Sequence, residues 1–411
     1  MSRVLLFTGK GGVGKTTLSA ATAASLAAHG RKALVVSTDP AHSLGDALGV
    51  RLGAEPSEVD APGTSVGGLF ACQIDPRGLV DEAWGELRGH LRTVLAGAGV
   101  DELDAEELTV LPGVEELLAL AEVRRLASSG PWEVVVVDCG PTAETLRLLS
   151  LPEAFAGYLE RLFPTHRRVV RGLLAGVAGT GTVEKWDATA DALSRLAERL
   201  DALRSLLSDP SSCSVRLVLT PERVVAAETR RTLTALALQG IRVDSVIANR
   251  LVPSPGAARG AAAAWLRTRR HEQDAVLAEL TGIGEIRTVD HRASEPVGVP
   301  ALLEVAAQLY GEEDPLPGAA VPASGVSEPL LEVSGSGRGL DARYSLRIAL
   351  PLSDDTDLDL ARVGDDLALT VDGRRRLVAL PSLLRRCIVT GAEMDSGGVT
   401  VGFRPDPSLW R

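Results

Sequence analysis

Cysteine and methionine are scarce in this sequence, and the cysteines it has are widely spaced. Its 411 residues include four cysteines, at positions 72, 139, 213 and 387, and no two of them form a C-x-x-C pair. That spacing offers neither a zinc clip nor a readable disulfide framework. It is typical of a reducing compartment, so we expect a cytoplasmic protein. Methionine occurs only at positions 1 and 394.

The sequence also lacks long apolar runs and an excess of positive charge. No run of about 18 uncharged apolar residues is present, so we predict no membrane span. The net charge is −11, from 43 Lys and Arg against 54 Asp and Glu, so we expect no nucleic-acid partner. The first residues enter a predicted strand, so we expect no signal peptide. The length suits two or three domains.

Lysine is rare as well, and half of it lies in one short segment. Lysine occurs only at positions 10, 15, 32 and 185, and two of these four lie between Gly9 and Thr17. This segment follows the apolar run Val4–Phe7 and matches the phosphate-loop pattern G-x-x-x-x-G-K-[ST]. Its glycines let main-chain N–H groups turn toward a phosphate chain, which Lys15 would also reach. We therefore predict ATP and Mg²⁺ as cofactors. The predicted nucleotide-binding residues are Gly9, Gly11, Gly12, Val13, Gly14, Lys15, Thr16 and Thr17, with the Thr16 hydroxyl also on the metal.

Residues 1–310 alternate short apolar runs with longer helical patterns. The runs are apolar throughout, as in a parallel sheet that is buried on both faces. The alternation predicts a doubly wound α/β fold of the P-loop NTPase type, with its ligand at the carboxyl ends of the strands. Two stretches, about 77–128 and 152–210, are long enough to form helical insertions. The predicted strands are 3–8, 33–38, 69–74, 133–138, 215–220, 243–248 and 286–289. The predicted helices are 15–29, 79–97, 114–128, 143–150, 187–208, 222–239, 259–280 and 299–310.

The pattern changes after residue 310. Residues 311–329 are rich in Pro, Gly, Ala and Ser without periodicity, which indicates a linker. Residues 330–411 show alternating apolar positions, for example at Leu346, Ile348 and Leu350, with Gly-containing turns between the runs. This pattern predicts a small all-β sandwich.

Two carboxylates follow predicted strands and are candidates for the chemistry. Asp39 follows the second strand and could orient a water molecule for attack, hold a water on Mg²⁺, or lie in a turn and cap a helix. Asp46 has the same helix-capping alternative. Asp138 closes the run Val134–Val137, the usual place for the acidic group that organises a Mg²⁺ shell. The arginine clusters 161–171 and 267–270 are more typical of solvated helix faces than of nucleic-acid sites.

At these residues the sequence resembles the ArsA family of ATPases, which includes the arsenite-pump ATPase and the eukaryotic factor that delivers tail-anchored membrane proteins. The resemblance covers residues 1–310 and rests on four segments. Residues 330–411 resemble the small heat-shock (α-crystallin) domain of some bacterial members. The four segments are Lys10–Thr17, Thr38–Ser43, Asp138 to Arg147, and Asn249-Arg250.

The resemblance implies roles for these residues. Lys10, a second catalytic lysine beside Lys15, would reach the nucleotide of the partner in a homodimer. Asp39 would position the hydrolytic water and, with Asp138, contact Mg²⁺ through water. Asn249, Pro296 and Val297 would lie at the adenine. The residues expected to switch with nucleotide state are Pro40, His42, Pro141 and Thr142.

The sequence departs from both family prototypes. It has no C-x-x-C pair for a zinc clamp, no methionine-rich groove and no cysteine cluster for metalloid. We therefore expect a dimeric ATPase that couples nucleotide state to a protein client, such as a hydrophobic or membrane protein. Two alternatives are the energising subunit of an arsenite or antimonite pump, and a nucleotide-stabilised chaperone or scaffold without enzymatic activity.

Overall fold

The computed structural model describes most of the chain in two compact units. The first unit contains residues 1–218 and 292–316, and the second contains residues 219–291 and 317–411. Most of the two predicted helical insertions, including helix 79–97, lies outside the described residues, as does the predicted helix 143–150 between them. The described residues are 2–39, 43–61, 67–75, 114–140, 201–280, 285–316, 331–350, 357–395 and 397–410, with positions 78 and 198.

The helices and strands follow the order expected for an α/β fold with a β-rich end. The labelled helices are α1 (Lys15–Ala28), α2 (Ser43–Leu48), α3 (Val114–Ser129), α4 (Arg223–Leu238), α5 (Ala261–Glu279), α6 (Val299–Tyr310) and α7 (Ser382–Arg385). Residues 201–208 are also helical. The first eight strands are β1 (Arg3–Thr8), β2 (Ala33–Ser37), β3 (Ser57–Glu58), β4 (Leu69–Gln73), β5 (Val134–Asp138), β6 (Cys213–Leu219), β7 (Val243–Leu251) and β8 (Ile286–Asp290). The later strands are β9 (Leu331–Ser336), β10 (Arg343–Ala349), β11 (Leu358–Val363), β12 (Asp366–Val371), β13 (Arg374–Ala379), β14 (Cys387–Asp395) and β15 (Gly398–Pro405).

The first unit is built on a mostly parallel sheet. Its strands run in the order β3-β4-β2-β5-β1-β6, and only the short β3 pairs antiparallel. Every residue of β2 and β5 is buried. Because successive side chains of a strand point to opposite faces, both faces of these strands are covered. This confirms the α/β fold expected from the apolar runs, and strands β1, β2, β4 and β5 begin and end within one residue of their predicted bounds.

Helix α1 is deeply buried because its side chains are small and mostly apolar on nearly all sides. It is rich in alanine, and its buried positions run from Leu18 to Ala27 without a break. Buried polar groups are paired there, as burial demands. Thr22 Oγ1 lies 2.6 Å from the Tyr310 hydroxyl of α6, and Arg216 Nη1 of β6 donates to the same hydroxyl at 2.6 Å. Arg216 also donates to the carbonyl of Pro315. These contacts join α1, α6 and β6.

The second unit contains two kinds of structure. Strands β7 and β8 pair in parallel, whereas β14-β15-β10-β9 and β11-β12-β13 form two antiparallel sheets. The inner faces of these two sheets share one apolar core, which includes Leu346, Leu369 and Phe403. The all-β region predicted from the period-two pattern is therefore confirmed. Helix α4 contributes Leu238 to this core.

The segment predicted as a linker begins in ordered structure. Arg31 forms an ion pair with Asp314, and Leu316 is buried in the first unit. Residues 317–330 lie outside the described residues. In the described part of the chain, none of the helices combines the length and hydropathy needed to cross a bilayer.

Candidate nucleotide-binding site

The loop between β1 and α1 needs glycine at the positions where its backbone bends most. Gly9 has a φ of 151°, and a Cβ there would lie 2.1 Å from the carbonyl oxygen of Val218. Gly14 has a φ of 95° and caps helix α1 in the left-handed conformation. An L-residue at either position would be strained. At Gly11 and Gly12 an added Cβ would meet no atom within 4 Å, so the outer rim of the loop faces open space.

Two lysines of the loop lie in different environments. Lys15 is buried, and its Nζ donates to the carbonyl of Lys10 at 3.2 Å. The Lys10 side chain is exposed. Helix α1 has no acidic residue in its first turn. No acidic residue of the helix itself therefore offsets the positive end of its dipole, which favours an anion at the loop.

A row of polar side chains lies at the carboxyl ends of β5, β2 and β4. Asp138 of β5 pairs in register with Ser37 of β2, and Ser37 pairs with Gln73 of β4. Residues paired in this way in adjacent strands point to the same face. All three are buried, with Asp138 at 0% exposure. We call Asp138, Ser37 and Gln73 the polar row.

Asp138 connects this row to the phosphate-binding loop. Thr16 Oγ1 donates to Asp138 Oδ2 at 2.7 Å and lies 3.2 Å from the hydroxyl of Ser43, the first residue of α2. Ser37 Oγ also donates to Asp138 Oδ2, at 3.4 Å. The other carboxylate oxygen, Oδ1, is buried and has no hydrogen-bond partner among the described residues. A buried acceptor without a partner is costly, so this oxygen is suited to receive a ligand.

Burial controls the ionisation of Asp138. It raises the pKa of this carboxyl from 3.8 to about 6, against the opposing effects of the Thr16 hydrogen bond and the Lys15 charge. The negative charge of Asp39 raises the pKa further, and the Ser37 hydrogen bond lowers it. A cation bound beside Asp138 would favour the ionised form.

The main chain of Asp39 is held from two sides. Its N–H donates to Ser37 Oγ at 3.2 Å, and its carbonyl accepts from Gln73 Nε2 at 2.6 Å. The end of β5 is bonded to the same turn, because the N–H of Thr38 donates to the carbonyl of Asp138 at 3.0 Å. The ends of β2, β4 and β5 therefore meet at Asp39.

These residues fit a nucleotide with Mg²⁺. The hydroxyls of Thr16 and Ser43 and the carboxylate of Asp138 are hard oxygen donors, the kind that Mg²⁺ prefers. Across the residues that the structure describes, no group of three or more His, Cys, Asp or Glu could hold a metal.

The remaining predicted residues lie elsewhere or outside the described residues. Pro296 and Val297 precede α6, and Gly298 N–H donates to the carbonyl of Ala47 in α2 at 2.9 Å. Asn249 belongs to the second unit, where its Oδ1 accepts from the N–H of Arg250 at 2.9 Å. The role of these three residues at adenine remains a prediction. Pro40, His42, Pro141, Thr142 and the 161–171 cluster lie outside the described residues.

Two weaker sequence candidates lie on helix surfaces. Asp46 is exposed in the first turn of α2, and its helix-capping interpretation stays a prediction. Arg269 pairs with Glu222 and Glu272, and Arg270 pairs with Asp274 and Asp290. Arg269 and Arg270 therefore lie on a partly exposed, ion-paired face of α5.

Sequence reasoning missed the polar partners of the two carboxylates. Gln73 lay inside the predicted strand 69–74 without a role, and the hydroxyls of Ser37 and Ser43 had no assigned role. The available signal was a polar residue closing an apolar run, as in Phe70-Ala-Cys-Gln73. The partners of these residues depend on which strands are neighbours in the sheet. A pattern within one strand does not contain that information.

Together, the parallel sheet, the glycine loop and a carboxylate at the end of the adjacent strand define a P-loop nucleotide-binding fold. A family model described as anion-transporting ATPase (ArsA) matches residues 2–311, and one described as the HSP20-like domain found in ArsA matches residues 341–403. The chain belongs to the ArsA ATPase family.

Similar proteins are found in several bacteria. Protein Rv2184c of Mycobacterium tuberculosis is 40% identical, covering 100% of this chain and 97% of its own length. A Chlorobaculum tepidum protein named "Putative arsenical pump-driving ATPase" is 32% identical, covering 92% of this chain and 90% of its own length. An Aquifex aeolicus protein named "Putative arsenical pump-driving ATPase 1" is 29% identical, covering 97% of this chain and 99% of its own length.

The raised pKa of Asp138 predicts a pH-dependent stability. Below about pH 3.8 the carboxyl is protonated in both the folded and unfolded states, whereas above about pH 6 it is ionised in both. Between these pH values the carboxyl is protonated in the folded state and ionised in the unfolded state. Raising the pH through this range therefore lowers the free energy of unfolding by about 3 kcal/mol in total. We expect Asp138→Asn to become more stable relative to the wild type as the pH rises through this range, because the amide does not ionise. Urea unfolding of both proteins with EDTA and without nucleotide, from pH 4.5 to 7.5, measures the difference. A difference that does not change with pH would contradict the assignment.

Proposed function

We propose that this protein is a Mg²⁺-dependent ATPase that acts as a homodimer and couples its nucleotide state to a protein client. The observation that carries the proposal is the hydrogen bond of 2.7 Å between Thr16 and the buried carboxylate of Asp138. It brings the loop hydroxyl to the acidic strand end, beside the buried Lys15. This is the arrangement that phosphoryl-transfer sites use to hold Mg²⁺ and phosphate together.

Each group in the site has a separate task in this proposal. The N–H groups of the glycine loop and the start of α1 bind the phosphates, and Lys15 neutralises charge on the β- and γ-phosphates. Thr16 and Asp138 would hold Mg²⁺, Asp138 through a water molecule. When bound, Mg²⁺ offsets charge that builds on the phosphate oxygens. Asp39 orients the water that attacks the γ-phosphate, or accepts its proton.

The client part of the proposal rests on the sequence pattern. The stretches at about 77–128 and 152–210, which the sequence predicts to be helical, exceed what a minimal nucleotide fold needs, and most of their residues fall outside the described ranges. Asp39 and Asp138 each lie at the carboxyl end of a strand, and the chain continues from each of them into a segment that the sequence predicts to switch with nucleotide state. Such segments are suited to respond when the γ-phosphate leaves.

A second candidate function is the energising subunit of an arsenical pump, which is what the names of the Chlorobaculum and Aquifex relatives state of those proteins. The burial of the cysteines argues against metalloid sensing by thiolates. All four are buried and none is in a disulfide. Burial raises the pKa of Cys72 and of Cys139 to about 12, so both thiols stay protonated near neutral pH. Only the thiolate is a strong soft-metal ligand.

Lys15→Ala is expected to abolish ATP binding and turnover. Asp39→Asn is expected to bind ATP but to lower kcat by about 10² to 10⁴-fold, because the water loses its orienting carboxylate. Phosphate release measures turnover, and titration with a fluorescent ATP analogue measures binding. The exposed Asp60→Asn is a matched control that should behave as the wild type. Normal turnover by Asp39→Asn would remove Asp39 from the mechanism.

Lys10 tests the homodimer. If Lys10 acts on the partner's nucleotide, Lys10→Ala should lower kcat by about 10³-fold, as loss of an arginine finger does. Neither Lys10→Ala nor Lys15→Ala should be active alone. A mixed dimer of the two should regain one working site. In that site the Lys10→Ala subunit contributes Lys15, and the Lys15→Ala subunit contributes Lys10. If mixing at several ratios restores no activity, Lys10 acts within its own subunit or has no role.

Arsenite and antimonite distinguish the two functions. We expect neither to change the rate of ATP hydrolysis, because the buried, protonated thiols offer no metalloid site. The measurement is phosphate release over a wide range of metalloid concentration, after preincubation with a reductant to keep the thiols free. Saturable stimulation that is lost in a variant with all four cysteines replaced by serine would favour the pump instead.

A further inference from the structure

Gln73 is a buried polar residue that the proposed reaction does not use. It closes β4 in the polar row, beside Ser37, and only 6% of it is exposed. Its main-chain N–H donates to the carbonyl of Gly53 at 2.8 Å, so the backbone at this point is fixed from the other side as well. A glutamine in such a position loses its contacts with water and needs partners in the protein.

The side chain of Gln73 has one strong partner and one open group. Its Nε2 lies 2.6 Å from the carbonyl oxygen of Asp39. Because a carbonyl can only accept, the amide must face it with the NH₂ group, which sets the orientation of the amide. The amide oxygen, Oε1, is buried and has no partner among the described residues. Such an acceptor is suited to a donor that arrives with the ligand, for example a bound water.

We propose that Gln73 is a positioning residue that holds Asp39 in register for hydrolysis. This inference rests on the proposed ATPase function. Asp39 is the last described residue after β2, and the chain beyond it leads to Ser43, which contacts Thr16. Ser37 holds the N–H of Asp39 and Gln73 holds its carbonyl. Fixing both main-chain groups limits how far the carboxylate can move.

The order of the strands explains why the contact comes from β4. Strand β2 lies between β5 and β4. Asp138 of β5 fixes the Thr38 side of the turn, through the hydrogen bond to Thr38 N–H. Gln73 supplies the matching contact from the opposite neighbour. A displacement of about 1 Å at a catalytic group can cost about 10²-fold in rate, so loss of this contact should affect turnover more than binding.

The test compares Gln73→Met with the wild type. Methionine keeps the length and burial of glutamine but cannot donate to Asp39. We expect kcat to fall by about 10-fold or more while KM for ATP stays within about twofold, since the phosphate contacts come from the loop. Gln73→Glu, which also lacks the NH₂ donor, should lose at least as much. Gln308→Met, at an exposed glutamine of α6, controls for the substitution itself, and thermal unfolding with nucleotide verifies that each variant is folded.

A double-mutant cycle separates positioning from a structural role. If Gln73 acts through Asp39, Gln73→Met should cause no further loss of kcat in an Asp39→Asn background. Single-turnover hydrolysis with labelled ATP is sensitive enough for the slow variants. Additive losses, or unchanged kcat in Gln73→Met, would overturn the inference and leave the ATPase proposal intact. Absence of Mg²⁺-dependent hydrolysis in the wild type would overturn both.

Discussion

The hydrogen bond between Thr16 and Asp138 is the contact on which the site depends. It joins the first turn of α1 to the end of β5, and its two residues are 122 positions apart in the chain. The same carboxylate accepts from Ser37, and the carbonyl of Asp138 accepts from Thr38. One buried residue thus sets the distance between the phosphate loop and the segment that carries Asp39.

This arrangement has a cost in the absence of ligand. Asp138 is fully buried, one of its oxygens has no partner in the described structure, and burial raises its pKa to about 6. Such features destabilise a fold and are typical of functional sites. A cation beside the carboxylate would relieve them. These features therefore favour the binding of a charged ligand over the stability of the protein alone.

The second unit combines part of the α/β sequence with the β-rich end of the chain. Leu238, at the end of α4, lies in the core of the sandwich, and Arg376 of β13 donates to the carbonyl of Ala237 at 3.1 Å. Groups of elements that share a core tend to open together. The sandwich is thus joined to α4 by packing as well as by the chain, which the linker composition did not predict.

The sequence alone determined the class of fold and the phosphate-binding loop. Apolar runs, helical periodicity and the spacing of Gly9, Lys15 and Thr16 are local patterns, and local patterns can be read without coordinates. Asp138 could also be recognised, because it closes an apolar strand. Gln73 and the hydroxyls of Ser37 and Ser43 could not be given partners in this way. Their contacts depend on the order β4-β2-β5, which arises from long-range strand pairing and places residues 37, 73 and 138 in one row. Only the tertiary structure decided that order, because pairing between distant strands is set by packing of the whole sheet and leaves no pattern in any single segment.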